Sequence, residues 1–365
     1  MKSFKNMTEI KLPPPINNKI DGKLLSVIIP TYNMERYLGA CLASLALVDE
    51  AQMNLLDILI INDGSTDRSS EIAHDFARRH PLSVRVVDKA NGNYGSCVNA
   101  ALPLVRGKYI RILDADDSYY TDNLPDYLRM LNSSDADVVM TDFDYVDTEG
   151  KVTKSLAPLP SSFANRTFPI REIPPKAYIM MHHVAFRSSL FDGLGYHQTE
   201  GISYTDWEWV FHPMSRVKRV SYYKKPIYRY LVGREGQTVD PAVTVKKTGD
   251  EETSLFSQLT VLDGVDEDNE AYPFLLHMVH RRIVYIYSAG INRLSTFDLD
   301  RFDRRLRVEH PKEYRSVEAC EVPTGFFGMG MPLVKMWRQV RGKRKMRRFW
   351  RYDLFLVACK LGIIK

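Results

Sequence analysis

Between Leu24 and about Leu131 the chain alternates short apolar runs with stretches whose apolar residues recur every three or four positions. Leu25-Ser26-Val27-Ile28-Ile29 reads as a buried strand that stops at Pro30, and Tyr37, Leu38, Cys41, Leu42 and Leu45 then share one helical face. Ile58-Leu59-Ile60-Ile61 predicts a second strand, with Ile72, Ala73 and Phe76 on the inner face of the helix after it. Val84-Arg85-Val86-Val87 is a third strand, and a loop from Lys89 to Asn93 leads into a helix around Cys97 to Leu104. Tyr109-Ile110-Arg111-Ile112-Leu113 closes the series. Repeats of this kind predict an α/β fold with a mostly parallel, doubly wound sheet flanked by helices.

In such sheets ligands bind beyond the carboxyl ends of the strands, where the strand order reverses. Here those ends carry Pro30-Thr31-Tyr32-Asn33, then Asn62-Asp63-Gly64-Ser65-Thr66-Asp67, then Lys89 to Ser96, and last Asp114-Ala115-Asp116-Asp117. Carboxylates at the end of a buried strand repel one another unless a cation is present. A hard divalent ion, Mg²⁺ or Mn²⁺, takes oxygen ligands from one or two carboxylates and the rest from substrate phosphates. Together the loops offer a ring, a lone carboxylate, a glycine-bearing turn and a metal site, which suits a nucleotide diphosphate. Taken singly, each has a plainer account. Asp63-Gly64-Ser65 makes an ordinary turn, Asp67 a helix cap, Asn91-Gly92 a turn, and the acidic run a helix start.

With these stretches in view, the chain resembles the inverting glycosyltransferases of family 2, which have the GT-A fold. The matching segments are Ser26 to Asn33, Ile60 to Asp67, Asn91-Gly92 with Gly95 and Asn99, Gly107 to Ile110, and Leu113 to Asp117, whose acids form a DXD motif. The resemblance implies that Pro30, Thr31, Tyr32, Asp63, Asn91, Gly92, Asp114 and Ala115 line the nucleotide-sugar site. Within it, Tyr32 and Asp63 would contact the base, Asp114 would lie near the ribose, and Asp116 would bind the metal. The second half matches more loosely, through His182 to Phe191, Tyr204 to Glu208, and Tyr228 to Thr238. Thr205-Asp206 stands where family members usually carry Glu-Asp, and Asp206 matches the family's catalytic base. The Gln-x-x-Arg-Trp signature of the processive synthases is missing, which implies one sugar added per encounter.

The chemistry asks for a base on the acceptor hydroxyl and a metal to neutralise the leaving diphosphate. Asp206 is the first candidate base and Glu208 its rival. His182, Arg234 and Gln237 are candidates for contacts to acceptor or diphosphate. The resemblance further implies a UDP-sugar donor, a glycan or lipid-linked acceptor, and a place in surface polysaccharide or glycolipid assembly. Two alternatives are a sugar nucleotidyltransferase and an inactive sugar-nucleotide-binding protein held at a membrane. The first lacks its Gly-rich, Lys/Arg-bearing loop after the opening strand. No G-x-G-x-x-G follows that strand either, which sets aside a dinucleotide oxidoreductase.

At 365 residues and 44% hydrophobic, the chain exceeds one typical domain. The expected division is a flexible lead-in over 1–23, a catalytic domain over 24–240 split near 120 into donor and acceptor halves, a mostly helical extension over 241–330 that includes His277 to Arg293, and a basic tail over 331–365. Four cysteines without zinc or redox spacing, and no signal peptide, point to a reducing cytoplasm. The net charge of +5 conceals a tail with eleven Lys or Arg against Asp353, so the rest of the chain is net negative. Phe349, Trp350, Tyr352 and Leu354 to Ala358 thread through that tail, in a run too short for the about 20 residues that cross a bilayer. Basic residues with interfacial aromatics suit an anionic cytoplasmic leaflet, giving a peripheral location on the inner face of the plasma membrane. No nucleic-acid-binding fold accompanies the charge, so nucleic acid is not an expected partner.

Overall fold

The computed structural model describes residues 8–9, 22–234, 237, 248–291, 297–323 and 330–341. Most of the lead-in, including Pro13-Pro14-Pro15, lies outside these residues, as do Glu235, Gly236, Thr238, Arg293 and the tail from 342 onward. The chain forms two compact units. One comprises 1–237 with 265–275, the other 238–264 with 276–365.

The first unit is built on strands β1 (Lys23–Thr31), β2 (Leu56–Asn62), β3 (Val84–Asp88), β4 (Gly107–Ile112), β5 (Val138–Val146), β6 (Val184–Arg187) and β7 (Arg219–Leu231). Their order across the sheet is β3-β2-β1-β4-β6-β5-β7, continued by Arg166–Pro169 and by Thr8–Glu9 at the edge. Thr8 and Glu9, inside the expected flexible lead-in, pair antiparallel with Thr167 and Arg166. Helices α1 (Leu38–Ala43), α2 (Ser69–Arg79), α3 (Asn93–Ala101), α4 (Leu124–Ser133) and α5 (Asp206–Met214) accompany the sheet.

β3, β2, β1 and β4 run parallel, so the expected doubly wound arrangement is present across the first half. β1 to β3 progress toward one edge and β4 returns to the far side of β1, which puts the switch point between β1 and β4. The second half is mixed rather than mostly parallel. β5 and β7 are parallel, but β6 runs antiparallel between β4 and β5. Only the short helical turn Met181–His183 precedes β6, so no crossover helix aligns it with its neighbours.

Burial explains why these segments are strands. Val27, Ile28 and Ile29 of β1 and Ile58 to Ile61 of β2 are all fully buried, as continuous apolar runs in a parallel sheet require. Two buried polar residues tie the sheet together, Asp57 at its amino end and Arg111 near its carboxyl end. Asp57 of β2 is buried and accepts from Ser26 Oγ at 2.6 Å, Arg85 Nη2 at 2.6 Å and the Arg106 amide at 3.0 Å. Arg111, fully buried in β4, donates to Thr141 Oγ1 at 3.1 Å and to the His182 carbonyl, with the rings of Tyr119, Tyr127 and Tyr228 around it.

The second unit holds α6 (Thr248–Asp263), the part of α7 (Tyr272–Ile291) from Leu276 onward, α8 (Leu299–Glu309), α9 (Pro311–Ser316) and α10 (Leu333–Val340). Its interior contains Arg282, paired with Glu251 at 2.5 Å and donating to Gln258 Oε1 at 2.7 Å. Asp303 of α8 is fully buried and gathers Arg338 Nε at 2.8 Å, Arg341 and the Tyr287 hydroxyl. Two of the eleven basic residues counted in the expected membrane-binding tail, Arg338 and Arg341, are therefore committed to this unit. A buried carboxylate without cations around it is costly, and the arginines meet that demand.

Gly107 opens β4 where a Cβ would stand 2.3 Å from the Ser26 amide nitrogen and 2.8 Å from the Leu25 carbonyl carbon. The obstacle is the backbone of β1, which cannot swing aside as a flexible side chain could. Gly107→Ala should destabilise the first unit by about 1–3 kcal/mol or more, as overpacked cores do, with a lowered midpoint in urea unfolding followed by far-UV circular dichroism.

Candidate active site

The carboxyl ends of β1, β2, β3 and β4 form one rim. At its β1 corner Pro30 is half-buried, Thr31 is buried with its hydroxyl donating to the Ile29 carbonyl at 3.1 Å, and the Tyr32 ring is 46% exposed. An exposed ring beside the switch point offers a face on which a planar base can stack. Asn33 adopts φ of 53° and crosses to the next loop, accepting from the Thr66 amide at 2.8 Å.

Asp63, at the end of β2, is turned inward. Its oxygens accept from the amides of Gly92 and Asn93, each at 2.9 Å, and Lys89 Nζ lies 2.6 Å away. Asn91 adds a bond from its side-chain nitrogen to the Asp63 carbonyl at 3.0 Å. The carboxylate is 3% exposed, so it shapes the loop that begins α3 and presents almost none of its own surface. Lys89, which sequence patterns do not single out, is the cation that makes this burial affordable.

The acidic run follows β4. Asp114 is half-buried, accepts from the Tyr94 hydroxyl at 2.8 Å and donates its amide to Tyr228 Oη at 3.1 Å. Burial, then the charge of Asp116, pushes its carboxyl up to about 7, against the Tyr94 hydrogen bond. Asp116 holds Arg234 Nε at 2.5 Å, with Tyr37 at 5.3 Å from the same guanidinium. Asp117 is buried and accepts from the Tyr228 hydroxyl at 2.5 Å and the Leu231 amide at 2.7 Å, anchoring the end of β7. Burial and its two neighbouring acids raise its carboxyl as well. Ala115 between them is buried.

The second-half residues distribute unevenly. His182 is buried, stacked on Tyr230 at 4.6 Å and edge-on to Tyr228 at 4.8 Å. One of its ring nitrogens lies with carboxylate oxygens of Asp114 and Asp117 in a cluster no more than 4.8 Å across. Burial and Arg111 hold its imidazole down at about 3, so it is neutral. It sits behind the acids instead of in the loop that carries Arg234. Gln237 folds back on its own strand end, accepting from the Gly233 amide at 2.9 Å and donating to the Leu231 carbonyl at 2.6 Å.

Asp206 is the first residue of α5, half-buried, two residues after Tyr204, whose φ of 61° is costly for a tyrosine. Behind burial, its charge adds to the upward push on both Asp114 and Tyr94. Glu208, two residues on, is fully buried and accepts from the Thr199 amide at 2.8 Å. The loop before α5 is welded to α3. Asn99 donates to the Gln198 carbonyl and Glu200 Oε1, each at 2.9 Å, and accepts from the Gln198 amide at 2.8 Å. Gln198 in turn donates to Thr205 Oγ1 at 2.9 Å. A Cβ on Gly95 would lie 2.0 Å from the Thr199 carbonyl oxygen, so the two segments touch backbone to backbone.

A family model described as glycosyl transferase family 2 matches residues 26–195. Residues 26–195 form a family 2 glycosyl transferase domain. Among curated relatives, this transferase domain aligns with an uncharacterized glycosyltransferase, EpsJ of Bacillus subtilis, at 39% identity over 26% of each chain. The uncharacterized glycosyltransferase MG025 of Mycoplasma genitalium is 29% identical over 59% of this chain and 70% of that protein. A teichoic acid poly(glycerol phosphate) polymerase of Staphylococcus epidermidis is 26% identical over 60% of this chain and 29% of its own. The match spans only about a quarter to a third of the first relatives' own lengths. Crystal structures of S. aureus TarS 1–349 superpose with a TM-score of 0.61 at 19% identity, covering 93% of this chain and 92% of that one. The transferase domain and the helices after it thus share the overall fold of TarS.

The Gly95 contact yields a test of how Asp206 is placed. Gly95→Ala must push the Thr199 segment away and should lower transferase turnover by at least tenfold, while a nucleotide binding at the β1 corner changes by less than threefold. Steady-state kinetics beside calorimetric binding of a nucleoside diphosphate will separate the two effects.

Proposed function

We propose that this chain moves one sugar from a nucleoside diphosphate sugar to an acceptor hydroxyl with inversion. The observation that carries the reading is that contacts from Gly95 and Asn99 through Gln198 to Thr205 fix the start of α5, and with it Asp206, against the helix whose Tyr94 bonds Asp114 of the donor rim. Asp206 takes the proton of the acceptor hydroxyl, whose oxygen attacks the anomeric carbon as the bond from that carbon to the diphosphate breaks. Glu208 is the lesser candidate because it is buried and holds the Thr199 amide. Tyr32 stacks the base, the Gly92 turn supported by Asp63 borders the nucleotide, and Asp114 faces the ribose. The S. aureus TarS fragment, whose fold is shared, has been crystallised with UDP-GlcNAc and with UDP, which supports a UDP-sugar donor. The kinship to a teichoic acid polymerase supports a surface glycopolymer or lipid-linked acceptor.

The residues fit a divalent cation. Three carboxylates crowd one strand end, one is pushed up to about 7, and another holds a guanidinium. Asp116, with Asp114 beside it, would hold Mg²⁺ or Mn²⁺, which when bound neutralises charge on the departing diphosphate. Arg234 contributes a second positive charge at the same carboxylate. We keep the division at about residue 240 between catalytic domain and extension. Among the described residues no helix is long and apolar enough to cross a membrane. The proposed membrane contact rests on residues 342–365, with eight Lys or Arg against Asp353, on the inner face of the plasma membrane.

Release of nucleoside diphosphate from a panel of sugar nucleotides, with and without Mn²⁺, is the first experiment. Hydrolysis of none would sink the transferase reading. With the donor known, Asp206→Asn should cut transfer by a factor of about 10² or more, the range a positioned base contributes, while donor affinity stays within a few-fold. Glu208→Gln should do less, and the opposite ranking reassigns the base. Asp116→Asn should lose metal-dependent turnover yet keep the wild-type circular dichroism spectrum.

Truncation after Arg341 keeps the Asp303 contacts. It should release the protein from anionic liposomes without affecting donor hydrolysis, and equal sedimentation of both forms would exclude the membrane role. Binding of the full chain should weaken with salt as the screening length drops from about 10 Å at 0.1 M to about 3 Å at 1 M.

A further inference from the structure

The second unit contains a group of side chains that sugar transfer does not use. Asp263 is the last residue of α6, His310 follows the last residue of α8, and Glu313 lies in α9. One ligand atom from each falls within 4.8 Å of the others. His310 and Glu313 are buried, at 5% and 1% exposure, while the Asp263 side chain is half exposed and opens the group to solvent.

Their polar atoms are poorly served by protein. Glu313 Oε2 is buried without a hydrogen-bond partner among the described residues. His310 Nδ1 lies 2.9 Å from Asp263 Oδ2 but without the alignment of a hydrogen bond. Buried polar atoms in native proteins are almost always satisfied, and each exception calls for a ligand, water or ion. The surroundings favour a cation. α6 and α8 both end here, so two negative helix ends and two carboxylates meet at the group, against the one positive end of the six-residue α9, which begins at His310. Phe256 packs 5.4 Å from the His310 ring and holds its orientation.

We propose that Asp263, His310 and Glu313 bind a divalent transition-metal cation of the zinc class that staples the ends of α6 and α8 to α9. One imidazole and two carboxylates suit Zn²⁺ more than Ca²⁺ or Mg²⁺, which prefer all-oxygen sets, and solvent reaching Asp263 completes the coordination. The role is structural and independent of the donor site.

Zn²⁺ binding to the full-length chain tests this, in an Asp116→Asn background that weakens metal binding at the donor rim. That protein should bind one equivalent of Zn²⁺, and Co²⁺ in its place should give visible d–d absorption. Adding Glu313→Gln, or separately the surface change Asp263→Asn, should weaken Zn²⁺ at least tenfold and abolish the zinc-induced rise in melting temperature. In the otherwise native chain, neither change should alter donor hydrolysis. Equal Zn²⁺ affinity and stoichiometry with and without these two substitutions would overturn the proposal by placing the ion elsewhere. Failure of the Asp116→Asn protein to bind Zn²⁺ at micromolar concentration would overturn it outright. A transferase that proves inactive leaves this test untouched, since its readouts are binding and melting.

Discussion

Asp114, Asp116 and Asp117 crowd the end of a single buried strand, and each is met by a different part of the fold. Two like charges 4 Å apart near a protein surface repel by about 4 kcal/mol at an effective dielectric of 20, so the neighbours that relieve them are under strong constraint. Tyr94 brings α3 to Asp114, Tyr228 and Leu231 bring the end of β7 to Asp117, and Arg234 lies on Asp116. The positions of α3 and of the terminus of β7 thus follow from one electrostatic demand. Arg111 supports the arrangement from below, by holding the His182 carbonyl and filling the space under Tyr228.

Division of labour on the rim follows from burial. Asp63 is spent on the turn that begins α3, and Lys89 balances it, so that corner is rigid. Tyr32 stands free of such commitments and keeps its face exposed. Across from them Asp206 owes its place to a chain of contacts, from Gly95 and Asn99 through Gln198 to Thr205, that begins on the same helix as Tyr94. One helix therefore sets the spacing between the acids of the donor rim and the carboxylate proposed as the base.

The sequence carried the local half of this picture. Apolar runs of four and five residues marked the parallel strands, and the strand-end rule put Tyr32, Asp63 and the acidic run on one edge, where the structure has them. What escaped was long-range pairing, which has no period. Arg111 read as part of an apolar strand because its partners, Thr141 and His182, lie far along the chain. Asp57 escaped for the same reason, since its partners come from β1, β3 and the start of β4. β6 is only four residues long, too short for a pattern, so its antiparallel insertion was invisible. Arg338 and Arg341 counted as surface charge until Asp303, from another helix, claimed them. His182, named as a candidate contact to acceptor or diphosphate, is packed between Tyr228 and Tyr230 through rings that lie far along the chain from it.

The backbone contact between Gly95 and Thr199 has a consequence for how such a protein diversifies. A family that changes acceptors by exchanging its second half needs a seam where the two parts meet loosely. Here the rim helix and the segment before α5 touch backbone to backbone at Gly95 and are tied by the Asn99 side chain, so a recombinant joined near residue 120 would import a loop shaped for a different helix. A graft that carries 93–101 together with 196–206 keeps the interlock intact. New acceptor preferences would then arise more readily from changes around this fixed hinge of backbone than from swapping whole halves.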